Sequence, residues 1–333
     1  MKKYAQNRIA ESRWALSVSM TFGFFVSFVT TIWQLDNYEG SILYFIKVLS
    51  PTALFLLSAV LMAALNNVYA LIRVYSRMVS CAFLFLSSAA CFQFASWRYQ
   101  LFMVCMVAFV MMLFSTYQDR YAPGKIMYAF SFLGVASMLF PQVVYLVPIV
   151  WLMMPTQLMN ASWRTYAASV IGVIMPYWFI VPISLHRGEF ESFEENFKSL
   201  GNFQGVLDLS ILNNLQIITL TFIVVIAIVG TCHFYRNAYK DKIRTRMFFN
   251  FFFAINFAAM LFLALQPQHF SYLIGVCILC TSVFVGHFIA LTSTRLTNMT
   301  FFVMLALVIA LTAINFYGYY VNEQLLNVNL LEF

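Results

Sequence analysis

Apolar residues run along this chain in blocks of about 18–22, broken by short polar stretches, and a helix of that length crosses roughly 30 Å of hydrocarbon. The blocks predict helices over 14–33, 51–72, 79–96, 100–117, 126–140, 143–154, 166–184, 215–234, 247–265, 270–290 and 299–320. Ser50-Pro51 suits a helix start, Ser as the cap and Pro at the first helical position. The expected fold is therefore all-α: a polytopic transmembrane bundle of about eleven spans forming one membrane domain over 1–333. The first block follows Lys2, Lys3, Arg8 and Arg13 and is longer than the apolar core of a signal peptide, so it is expected to be a retained first helix.

The stretch 126–154 admits two readings, a short hairpin broken at Pro141-Gln142 or one helix kinked at Pro141 and Pro148. Charge separates them. Two crossings put fifteen Lys and Arg on the inner side, from Lys2 to Arg295, and leave only Lys47, Arg98, Arg187 and Lys198 outside. One crossing gives a split of ten against nine. The positive-inside bias favours two crossings, with the N-terminus in and the C-terminus out. Read as 126–140 and 143–154, both members are too short to cross upright, which predicts a thinned or concave region there.

Two outward loops carry amphipathic stretches expected to lie in the headgroup layer. In loop 34–50, Ile42, Phe45, Ile46 and Leu49 fall at helical spacing. In loop 185–214, Phe190, Phe193, Phe197 and Leu200 do the same, with Glu191, Glu194, Glu195 and Lys198 opposite and Gly201 as a stop. The inward loop 235–246 holds five positive residues between Arg236 and Arg246, which suits anionic headgroups.

Composition agrees. Hydrophobic residues make up 62% and charged residues 9%, against about 45–50% and about 25% in soluble domains. The net charge of +7 is spread between spans, which argues against a nucleic-acid partner. Phosphate-binding, dinucleotide-binding, HExxH and Gly-x-Ser-x-Gly motifs are absent. Cys81, Cys91, Cys105, Cys232, Cys277 and Cys280 fall in spans or at an inner helix end, which speaks against an outward disulfide framework. His233 and His287, near inward ends, are a pair with metal-ligand chemistry but no further support, and no metal site is assigned. No span has a charge at its centre, which weakens an ion-coupled transport reading. Gln34, Asn66, Asn67, Gln93, Asn250 and Asn256 are expected to hydrogen-bond between helices.

The candidate chemistry lies outside. Asp36 and Glu39, three residues apart just above the first span, have the types needed for a general base and its partner, or for holding a divalent cation as cofactor. Arg98, Arg187 and His269 lie in other outward loops and could bind the phosphate of a substrate.

The run Met138-Leu139-Phe140-Pro141-Gln142 through Val150-Trp151, with Trp163-Arg164-Thr165-Tyr166 and Gly172-Val173-Ile174-Met175-Pro176-Tyr177, resembles a family of polytopic inner-membrane proteins of Bacteroidota known only as a domain of unknown function. That resemblance implies a multi-pass protein of the bacterial inner membrane and no particular activity. More distantly, the many spans and the acidic first outward loop resemble the C superfamily of membrane glycosyltransferases. This likeness implies Asp36 as base or metal-binding carboxylate, with Glu39 beside it. The chain departs from that superfamily in a first outward loop of only about seventeen residues and in a tail of thirteen after Tyr320. The expected function is an envelope enzyme acting on a lipid-linked sugar at the outer leaflet. The alternative is a non-catalytic subunit with envelope protein partners in secretion or lipid export; a transporter or flippase comes third. Membrane lipids are expected partners in each case.

Overall fold

The computed structural model describes residues 4–35, 42–187, 198–201 and 209–331. Those residues are all-α, with twelve α-helices: α1 (Ala5–Ala10), α2 (Ala15–Gln34), α3 (Ile42–Tyr69), α4 (Met78–Ala89), α5 (Trp97–Phe114), α6 (Pro123–Leu139), α7 (Leu146–Met153), α8 (Trp163–Arg187), α9 (Asn214–Asn237), α10 (Ile243–Leu265), α11 (Phe270–Leu291) and α12 (Arg295–Leu331). Nine helical stretches among the described residues are long and apolar enough to cross a membrane. They match nine of the eleven expected spans. The other two are shorter, α4 at 12 residues and α6 at 17.

The doubtful stretch resolves into two segments. Phe140 is extended, at φ −143° and ψ 93°, because Pro141 disfavours helical backbone at the residue before it. The chain then runs from Pro141 to Leu158 as a 3-10 turn, α7 and a π-helical turn, long enough to cross. Pro148 stands at the third position of α7, inside the first turn, where its missing N–H costs no hydrogen bond. The second member is thus longer than the 143–154 expected. Loop 34–50 also differs from expectation. Helix α3 runs unbroken from Ile42 through Pro51, so Ile42, Phe45, Ile46 and Leu49 are an exposed stripe on its first turns rather than a separate interfacial helix. Of the second amphipathic stretch, Phe190, Phe193 and Phe197 lie outside the described residues, and Leu200 falls in a short 3-10 turn, Ser199–Gly201.

The chain divides into two compact units. Unit 1 comprises Met1–Gln100, Leu212–Ala238 and Thr281–Phe333; unit 2 comprises Leu101–Ile211 and Tyr239–Cys280.

In unit 1, Phe22 meets Phe85, Gly23 meets Leu84, and Gln34 bonds to the carbonyls of Cys91 and Phe92, so α2 and α4 run parallel. Helix α3 returns against both. The Ser27 hydroxyl donates to Thr52, and the Ser80 hydroxyl donates to the Ala59 carbonyl at 2.6 Å. Asn298 lies near Gln6 and Phe316 stacks on Trp33, so α12 runs with α2. Helix α9 runs against α12: Leu215 abuts Gly318, and Thr219 accepts from Asn315.

In unit 2, the direction of α6 and α8 is set by glycine contacts. A Cβ on Gly172 would lie 2.5 Å from the Met127 carbonyl oxygen, and one on Gly134 would lie 2.6 Å from that of Val173. Farther along, Ser137 and Tyr177 share a 2.5 Å hydrogen bond. Positions rise together, so these helices are parallel and 141–158 must run back. Small residues allow this backbone approach where no hydrophobic drive exists between helices in lipid. Phenylalanines fill the other contacts: Phe114 stacks on Phe248 at 4.1 Å, and Phe109 meets Phe130 edge-on.

Replacing Gly172 with Val should lower stability by about 1–3 kcal/mol, because the backbone opposite cannot move aside. Gly124→Ala should be neutral or nearly so, since no atom lies within 4 Å of its Cβ position. Thermal unfolding of both variants in one mild detergent checks this; equal midpoints would contradict the close approach.

Candidate functional site

Asp36 and Glu39 lie outside the described residues, and so does the Arg187 side chain at the end of α8. Arg98, in the first turn of α5 within unit 1, has its guanidinium 5.9 Å from the ring centroid of Trp97. His269 belongs to unit 2, in the 3-10 turn Pro267–His269 between α10 and α11. Of the five predicted site residues, only Arg98 and His269 have described side chains, and they belong to different units.

Around His269 the structure builds something else. Its ring stacks on Phe262 at 5.9 Å and meets Phe140 edge-on at 5.5 Å. Gln268 donates to the Gln266 side-chain oxygen at 3.1 Å and places the same nitrogen 3.2 Å from His269 Nε2. Pro267 fixes this turn, since it cannot extend α10 and it presets the backbone of a new one. Beneath the rings, between segment 141–149 and α10, lies a cavity of about 220 Å³. Its walls are Phe140, Val143, Leu146 and Ile149 on one side and Ala258, Ala259 and Phe262 on the other, with Leu273 and Val276 of α11 as floor. It exists because α10, otherwise rich in phenylalanine, carries two alanines here. Leu261 and Leu265 on its edge are exposed, so the cavity opens sideways.

Only Gln142 and Tyr145 bring polar atoms to this lining, and the Tyr145 hydroxyl donates to the Leu200 carbonyl at 2.7 Å. Such a groove accepts an alkyl chain and offers amides, a phenol and an imidazole to whatever sits at the chain's end. Its volume is below the ~300–1,000 Å³ of typical small-molecule sites, which suits part of a chain rather than a compact ligand. Among the described side chains, no carboxylate lies at this end of unit 2.

A second, larger cavity of about 370 Å³ lies within unit 1, between α2 and α12 over α4. It is almost wholly apolar and opens beside Trp14 and Val18, both exposed.

The remaining candidates are structural. His233 and His287 in unit 1 have ring centroids 6.0 Å apart and pack against Phe234 and Phe288. Among the described residues no cluster of three or more His, Cys, Asp or Glu could hold a metal ion. All six cysteines are free thiols, and only Cys232 is exposed. Gln34 ties the end of α2 to the turn after α4, Asn66 donates to the Ser76 carbonyl at 2.7 Å, and Asn250 reaches Gln157 at 3.3 Å. Three polar residues were missed from the sequence. Gln6 is fully buried, donating to the Ile289 carbonyl and Thr292. Asn315 donates to the Ala89 carbonyl at 2.6 Å and to Thr219 at 2.9 Å. Gln142 lines the outer groove, and its place directly after a proline inside an apolar run was the available signal.

Compared with known proteins, the chain matches no protein-family model, no curated protein and no solved structure. The resemblances to the Bacteroidota family and to the glycosyltransferase superfamily rest on the residues quoted for them alone.

Proposed function

We propose that this chain is a multi-pass protein of a bacterial inner membrane, crossing eleven times with its N-terminus inside, and that it holds the apolar part of a lipid-linked molecule at the outward end of unit 2. Three features support the crossings. The apolar helices are long enough, α6 and α8 are parallel, and α9 runs against α2 within unit 1. Charge supports the orientation. In unit 1, Arg8, Arg13, Arg73, Arg77, Arg236 and Arg295 lie at one end, against Lys47 and Arg98 at the other. In unit 2, Arg120, Lys125, Arg164, Lys240, Lys242, Arg244 and Arg246 oppose Arg187 and Lys198. The more positive end is the cytoplasmic one.

The observation that carries the binding role is the sideways-opening apolar groove roofed by His269, Gln268 and Tyr145. A tail entering from the outer leaflet would lie along Ala258 and Ala259 and present its head at this roof. In the enzyme reading, Asp36 acts as base or cation ligand, Glu39 is its partner, and Arg98, Arg187 and His269 receive phosphate. A second reading is a non-catalytic subunit that binds lipid for a partner protein.

Two measurements test these readings. Ala258→Phe fills the groove and should cut the tightly bound lipid seen by native mass spectrometry roughly tenfold, about 1.4 kcal/mol, with unchanged unfolding temperature. Undiminished lipid would overturn the binding role. Asp36→Ala combined with Glu39→Ala, at normal protein level, should abolish rescue of a deletion strain. Full rescue would sink the enzyme reading and leave the subunit reading, which predicts a stoichiometric partner in the mild-detergent extract.

A further inference from the structure

The 370 Å³ cavity of unit 1 differs from the outer groove in its surroundings. It lies at the arginine-bearing end, where Ile9, Ser12 and Trp14 form its mouth. Arg13 stands between two of those mouth residues, and Arg77 directly precedes Met78 of the lining. The Arg77 guanidinium lies 3.5 Å from the Arg13 carbonyl oxygen, which brings Arg77 to the backbone of the mouth. Below the rim the walls turn apolar: Phe85, Leu86, Ile226, Val285 and Val308. An apolar shaft with two arginines in the chain at its rim fits a molecule with a phosphate at one end and a hydrocarbon chain at the other. Arginine receives phosphate oxygens through parallel N–H donors, and its weak hydration suits the interface. Trp14, three-quarters exposed beside the mouth, has the amphipathic ring found at headgroup level.

The same end of unit 1 anchors the helix that precedes the mouth. Helix α1 is fixed across the turn between α11 and α12 by Gln6 and Asn7, which donate to Ile289, Thr292 and the Thr292 carbonyl, while Ser76 donates to the Ala10 carbonyl at 2.9 Å. The chain leaving α1 contributes Ser12, Trp14 and Ala15 to the lining of the cavity.

We infer that this cavity is a specific site for an anionic phospholipid, one acyl chain in the shaft and the phosphate on Arg13 and Arg77. It stands independently of the outer groove's role.

The test uses full-length protein stripped of lipid and offered dioleoyl phosphatidylglycerol or dioleoyl phosphatidylcholine, whose chains are identical. Native mass spectrometry reads how much of each is retained. Wild type should keep the phosphatidylglycerol at least about fivefold better, the factor one arginine contributes near a headgroup. Arg13→Gln with Arg77→Gln should reduce it to the phosphatidylcholine level. Ala82→Leu, or Ala15→Leu nearer the mouth if the first misfolds, narrows the shaft and should lower retention of both lipids. Ala258→Phe, which fills only the outer groove, should leave the preference intact. Equal retention by wild type, a preference that survives the double arginine variant, or one abolished by Ala258→Phe would each overturn the inference.

Discussion

Everything in this chain follows from the need to cover α11 without water. Its residues from Leu273 to Ala290 are all buried, and none is charged. A helix apolar on every side has no face to give to solvent, so other helices must surround it. Its second half, in unit 1, comes so close to α4 that a Cβ on Gly286 would lie 2.7 Å from the Val79 nitrogen. Its first half, in unit 2, sets Tyr272 against Phe102 and flat on Phe140 at 4.8 Å. Glycine gives close approach in one unit and aromatic rings fill space in the other.

The outer helices show the converse. On α8 only the edge facing α6 is small and close-packed. Trp178, Phe179, Ile174 and Ile183 stay exposed, an apolar surface that would aggregate in water but is solvated by lipid. The polar residues in spans are used sparingly and locally. Asn315 and Gln34 satisfy carbonyls where α4 stops early, at Ala89 and at Cys91 and Phe92. An unsatisfied carbonyl at a helix end is costly away from water, so a short helix such as α4 needs such partners. The two cavities follow from the same economy: each arises where small residues or a diverted chain leave a gap beside an apolar surface that lipid can fill.

Much of the fold was legible because length and apolarity act locally. The break at Pro141 and the nine long apolar helices among the described residues can be read from the residues that form them. What was not legible depends on tertiary partners. Pro51 looked like a helix start, yet α3 continues through it from Ile42. Segment 143–154 looked too short, whereas a π-helical turn carries the helix to Leu158. The sites were less legible still. Ala258 and Ala259 form a groove only because bulky neighbours surround them, and Ser12 and Ala15 line a shaft whose other walls come from distant residues on α4, α9, α11 and α12. Charged loop residues drew attention by type, but of the five predicted site residues only Arg98 and His269 have described side chains, and these fall in different units.

The account turns on segment 141–158 running back between parallel α6 and α8, and cysteine accessibility in intact cells tests this most directly. With the exposed Cys232 changed to Ser, single cysteines at Tyr121, before α6, and at Trp163, before α8, should both resist an impermeant maleimide until the membrane is opened. A cysteine at Ser210 should react from outside at once. Labelling of Tyr121→Cys and Trp163→Cys from opposite sides would mean that 123–158 crosses once, and the eleven-span orientation would be wrong.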